Sequence, residues 1–216
     1  MHHEIAVPPR AAYASVWERQ SWLGPATLES LEGVNEQVLA LLRVQCRVAV
    51  DPAPWVRQVS EPLLALDGPA LRRAASCAVL LVDAGLADSF QWSDAIRGAV
   101  RDRADREPAA FFTTEGAMSL MRLVMTHAWH LARSEPAAAR LLLGISGANV
   151  TVIGACTLGR LIQLAESRTE WLRPRWENRP RIWLDLLRTA QHGGSGAVER
   201  MRVRVLQLLA ADARQG

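Results

Sequence analysis

The chain has 216 residues, half of them apolar and 22% charged, with a formal net charge of +3. That length and apolar content supply a core for one medium domain or two small ones, so a disordered chain is excluded as the starting assumption. No apolar run approaches the roughly 20 residues a spanning helix needs, and the opening "MHHEIAVPPR" lacks the basic-then-apolar order of a secretory signal, so membrane insertion is not expected and a cytoplasmic location is.

Residues 1–26 read as a lead segment in which Trp17 and Trp22, within "SVWERQSWLGP", suit docking on the protein's own core or on a partner. In "LESLEGVNEQVLALLRVQCRVAV", Leu31, Val34, Val38, Leu41, Leu42 and Val44 fall at spacings of three and four. This predicts an amphipathic helix, with Pro25 and Thr27 at its start. "DGPALRRAASCAVLLVDAGLAD" predicts a second long helix, with Asp67 as N-cap, Pro69 in the first turn and an end near Gly85. The charged "RDRADREP" leads to a third helix after Thr114, whose apolar face is Met118, Met121, Leu123, Val124 and Leu131 and which Pro136 interrupts. Strand signals are sparse; the best, "ANVTVIGA", is short enough to be buried helix instead. Asn178 and Pro180 resemble a helix start, so "RIWLDLLRTAQ" predicts a helix closed by Gly193 and Gly194. A last helix, 196–213, turns Met201, Val205, Leu208 and Leu209 inward and spreads Arg200, Arg202 and Arg204 over its outer arc. The expected fold class is all-α.

Sliding the chain on itself by 79 residues superposes Leu63 on Leu142, Leu66 on Ile145, Gly68 on Gly147, Cys77 on Cys156, Val79 on Leu158 and Trp92 on Trp171 without a gap. The match predicts two similar helical modules, 27–104 and 110–190, packed as a pseudo-dimer and followed by the C-terminal helix.

Three cysteines, Cys46, Cys77 and Cys156, are widely spaced among small or apolar neighbours, with no CxxC, and read as reduced core residues. His127 and His130 sit at i and i+3, but Cys, Asp and Glu are absent from the adjacent turns, so no metal and no cofactor are expected. All 25 basic residues are arginine. Residues 168–216 hold ten of them against five Asp or Glu, leaving residues 1–167 at −2, so the basic character is local. It centres on "EWLRPRWENRPRIW", where Arg173, Arg175, Arg179 and Arg181 are threaded between Trp171, Trp176 and Trp183. Such a stretch can grip phosphates, with Arg200, Arg202 and Arg204 as auxiliaries, or can serve as a stiff connector whose tryptophans are buried and whose arginines pair with Glu170, Glu177 and Asp185.

The stretch "HAWHLARSEPAAARLLLGISGANVTVIGACTLGRLIQLAES" resembles the flagellar transcriptional activator FlhD family. The resemblance rests on a long first helix, an acidic break, Leu143-Gly144-Ile145, the step Thr157-Leu158 and the ending Leu164-Ala165-Glu166, at the family's separations and without a gap. Independently of it, Gly144 suits a helix end, Thr157 suits a cap, and Leu158, Leu161, Ile162 and Leu164 suit a buried face. The resemblance implies an all-helical protein that dimerises and acts with a partner subunit, FlhC, on promoter DNA. This chain is roughly twice as long as such a protein, and the family's polar tail is replaced by the arginine–tryptophan stretch and two further helices.

The function expected is therefore regulatory and motility related, through protein contacts and DNA, with an FlhC-like subunit or a second copy as partner. Eight tryptophans, a residue type enriched at interface hot spots, equally suit a scaffold or an accessory subunit of a bacterial secretion or surface-appendage assembly that binds no DNA. No GxSxG, phosphate loop, HExxH or paired carboxylates with a nearby base are present, so an enzyme is not expected.

Overall fold

The computed structural model describes residues 24–48, 53–97 and 110–212, so Trp17, Trp22 and the "RDRADREP" segment lie outside the described residues. The fold is all-α: ten α-helices among the described residues are joined by one two-stranded antiparallel pairing.

Helix α1 (Pro25–Val48) buries Leu31, Val34, Val38, Leu39 and Leu42 along one stripe, while Leu41 is half-buried and Val44 is exposed. Helix α2 (Pro54–Leu64) opens with proline where a backbone donor would be orphaned in any case. Helix α3 (Gly68–Ala75) starts as expected, Asp67 accepting from the Ala70 amide at 2.7 Å, a cap of about 1 kcal/mol. It ends far short of Gly85, however. From Cys77 to Val82 the chain is buried, non-helical and apolar on every side, ending in strand β1 (Val82–Ala84). A continuous apolar run carries no periodicity that separates helix from buried strand, which is why the sequence reads as one long helix here.

The buried strap has its backbone groups satisfied from three directions. Asn35 on α1, fully buried, donates through Nδ2 to the carbonyls of Ala75, Cys77 and Val79 and accepts at Oδ1 from the Leu81 amide, all within 3.3 Å. The Leu80 amide donates to Leu142 O, and the Arg175 amide donates to Leu81 O. Strand β2 (Leu172–Pro174) completes the set, pairing Val82 with Pro174, Asp83 with Arg173 and Ala84 with Leu172. Burial of this backbone is tolerable because the polar groups find partners.

Beyond β1 lies α4 (Ser89–Arg97), anchored by fully buried Trp92, whose indole donates to Gly85 O. Helix α5 (Thr114–Ser134) is the axis of the second half and packs on α1, α6 (Pro136–Leu143), α7 (Gly147–Ala155) and α8 (Leu158–Ser167). Met121, Val124 and Leu131 face inward as expected, whereas Leu123 is exposed. The "ANVTVIGA" segment is α7, the buried-helix alternative. A 3-10 turn (Thr169–Trp171) leads into β2, and α9 (Pro180–His192) and α10 (Ser195–Asp212) close the chain.

One hydrophobic cluster runs from Leu31 to Leu209, and Trp55 on α2 meets Trp183 on α9 edge-on at 5.1 Å. The two halves thus share a core and a sheet. The 79-residue correspondence holds locally: Asp67 and Ser146 both cap the following helix by side chain, and Cys77 and Cys156 follow α3 and α7. It then parts, because Val79 enters the buried strap while Leu158 begins α8. No single helix among the described residues is long and apolar enough to cross a membrane.

Candidate functional site

The arginine–tryptophan stretch is built into the fold. Trp171 packs edge-on against Trp92 at 5.9 Å, and Trp183 donates its indole N–H to Arg175 O. Trp176 has φ +56°, a left-handed conformation costing a bulky L residue on the order of 1 kcal/mol. It is held there by its Nε1 donating to Asp212 Oδ2 at 2.8 Å, and its carbonyl accepts from the Arg179 amide. Trp171 and Trp176 are both buried, as the connector alternative has it, which corrects their candidacy as open nucleic-acid or partner contacts.

Arg175 is the larger correction. Its side chain is only 8% exposed, and it donates from Nε to Leu80 O at 2.7 Å and from Nη2 to Leu143 O at 2.9 Å and Val82 O at 3.1 Å. The guanidinium staples the buried strap to the end of α6, a use that its five-donor fork suits and a lysine would not. Burial pulls its pKa down, and the charges of Asp83 and Asp212 oppose that fall.

The remaining candidate arginines are mostly spent. Arg173 pairs with Glu177 at 2.6 Å, Arg179 with Asp212 at 2.6 Å, and Arg204 with Asp185 at 3.0 Å. Arg202 donates to Ser76 O at 2.9 Å and meets Glu199 at 3.3 Å. Arg181 and Arg200 are exposed and make no ion pair with a described residue. Such partly exposed pairs contribute little stability each, but they cancel much of the local field that a phosphate backbone would need.

Around Arg175 and Trp176 opens a cleft of about 420 Å³. Its wall includes Ser89 at the first position of α4, Ser146 at the cap of α7, Asp83 on β1 and Asp212 at the end of α10. The two serine hydroxyls are 3.0 Å apart. Gly144, left-handed at φ +68°, also lines the cleft; a Cβ there would come within 2.8 Å of Leu209 Cδ1. Sequence reasoning assigned Gly144 to a helix end, which it is, but nothing in the pattern placed Ser89, Ser146, Asp83 and Asp212 together.

In the stretch 127–167, α6 ends at Leu143 and Thr157 caps α8 by accepting from the Arg160 amide at 3.3 Å. Leu161 and Leu164 are buried and Ile162 is half-buried, but Leu158, expected inside, is exposed. Burial pushes the thiols of Cys46 and Cys77 up to about 11 and raises that of Cys156, which leaves all three protonated and weak as nucleophiles near neutral pH. His127 is buried against α1, its Nδ1 3.3 Å from Ser30 Oγ, whereas His130 faces solvent. Among the described residues no three His, Cys, Asp or Glu side chains stand together as a metal site. The chain matches no family model, and neither a curated protein nor a solved structure shows significant similarity to it.

Proposed function

We propose that this chain is a non-enzymatic, FlhD-like regulatory protein that acts through contacts with a protein partner. The observation carrying this reading is the exposure of Leu123, Leu141 and Leu158, at 37–39%, on α5, α6 and α8 of the segment that resembles FlhD. Exposed leucines on three helices of one segment offer apolar surface that an FlhC-type subunit or a second copy would cover. The pairing of Arg173, Arg179, Arg202 and Arg204 and the burial of Arg175 weigh against DNA as the primary partner of the C-terminal stretch. DNA contact then comes through the partner subunit.

The test is co-expression with an FlhC-type subunit from the same cell, followed by size-exclusion chromatography with light scattering. A stable complex is expected with the wild-type chain and its loss with Leu123→Ser combined with Leu158→Ser, the variant keeping its helical spectrum. Failure to form that complex, with retention instead by a secretion or surface-appendage component, would replace the regulator with the scaffold reading.

A further inference from the structure

We propose that the cleft beside Arg175 is a binding site for a small, singly headed anion, a carboxylate or a phosphate. The inference is independent of the FlhD-like reading. It starts from an unfinished hydrogen-bond set: Nε and Nη2 of Arg175 are satisfied by three carbonyls, but Nη1 makes no hydrogen bond with a described residue. The side chain is more than nine-tenths buried and lines the cleft. Nη1 lies only 3.1 Å from where a Cβ on Gly144 would project, so glycine keeps the approach to it open. A guanidinium held so deeply, with neutral carbonyl oxygens as its only hydrogen-bond partners, leaves a positive charge whose natural complement is an anionic oxygen.

Two further features point the same way. Helices α4 and α7, nine residues each, both begin at this cleft, at Ser89 and at the Ser146 cap. The α4 end is already offset by the Asp88 carboxylate, which accepts from the Gln91 amide at 2.9 Å, so the α7 end, with the one O–H that the bonded serine pair leaves free, is the part that favours an anion. Three carboxylates in the wall, Asp83, Asp212 and Glu177, offset part of this positive charge. Glu177 is engaged by Arg173, Asp212 by Arg179 and Trp176, and Asp83 accepts from the Gly85 amide. Their residual field limits the ligand's charge, favouring a single small anionic head, and a donor group beside that head would meet Asp83. A volume of about 420 Å³ is of small-molecule size.

The test is a two-dimensional NMR titration of the full 15N-labelled chain with inorganic phosphate and, separately, acetate, at constant ionic strength set by chloride. Saturable shifts confined to the Arg175 Nε–H and the amides of Ser89 and Ser146 are expected. Saturation by phosphate alone assigns a phosphate head, and saturation by acetate alone assigns a carboxylate. Ser89→Asp, which supplies an internal anion at a helix start that tolerates one, should weaken binding at least about tenfold and leave distant resonances in place. Shifts that grow linearly and spread over surface arginines such as Arg181 and Arg200, or binding unchanged in Ser89→Asp, would overturn the proposal.

Discussion

Replacing Asn35 by leucine tests whether the buried strap is held as described. Asn35 is fully buried and serves four backbone groups: three carbonyls at 3.0–3.3 Å and the Leu81 amide at 3.0 Å. Leucine has the same number and branching of side-chain heavy atoms, so no cavity is left and the cost is chiefly that of unmade hydrogen bonds, with some crowding from its bulkier methyls. The Leu81 amide has no other acceptor among the described residues, and leaving it buried and unpaired costs about 1–3 kcal/mol; the carbonyls, which can accept elsewhere, add less. The expected loss is about 3–4 kcal/mol, a large fraction of the roughly 5–15 kcal/mol by which domains are stable. Urea denaturation followed by circular dichroism reads it as a lower midpoint at unchanged slope. Asn35→Asp should be at least as damaging at neutral pH, because a carboxylate would face three carbonyl oxygens. A loss below about 1 kcal/mol in Asn35→Leu would refute the claim that this side chain organises the strap.

Arg175→Met should lower stability by about 2–4 kcal/mol, since three carbonyls lose their donor while a buried charge is relieved; thermal or urea unfolding checks it. Gly144→Ala combines a left-handed φ of +68° with a Cβ 2.8 Å from Leu209 Cδ1, and should cost about 2–4 kcal/mol in the same assay. His127 has its pKa lowered from 6.5 by burial, with His130 adding to the effect, so the unfolded chain takes up the proton first as pH falls. Stability should therefore be full above 6.5 and decline below it, down to the depressed folded value, by at most about 1.4 kcal/mol per pH unit. The difference between wild type and His127→Gln, measured across that window, isolates this term; an equal slope in both would remove His127 as its source.

Much of the helical frame is legible in the sequence because its signals are local. Thr157 and Asp67 cap where their neighbours demand it, Gly144 ends α6, and Pro180 starts α9. The strap from Cys77 to Val82 is not legible, because its partners, Asn35, Leu142 and Arg175, are distant in the chain and an apolar run does not announce which backbone it will satisfy. The same limit governs the site. Sequence groups Arg173, Arg175, Arg179 and Arg181 by proximity along the chain, but folding sends Arg175 inward to carbonyls and gives Arg179 a partner 33 residues away at Asp212. Pro174, Pro180 and the interleaved tryptophans point to a stiff, partly buried connector, but no residue pattern says which arginine turns inward.

The central claim, that most of these arginines are engaged by the protein's own carboxylates and carbonyls, is tested most directly by the salt dependence of binding to a generic DNA duplex, followed by fluorescence anisotropy. Because Arg173 and Arg179 are engaged by Glu177 and Asp212, alanine at both positions is predicted to leave the slope of log K against log salt unchanged. A slope made shallower by roughly 2 in that variant would mean that the paired arginines leave their carboxylates for phosphate, and would contradict it.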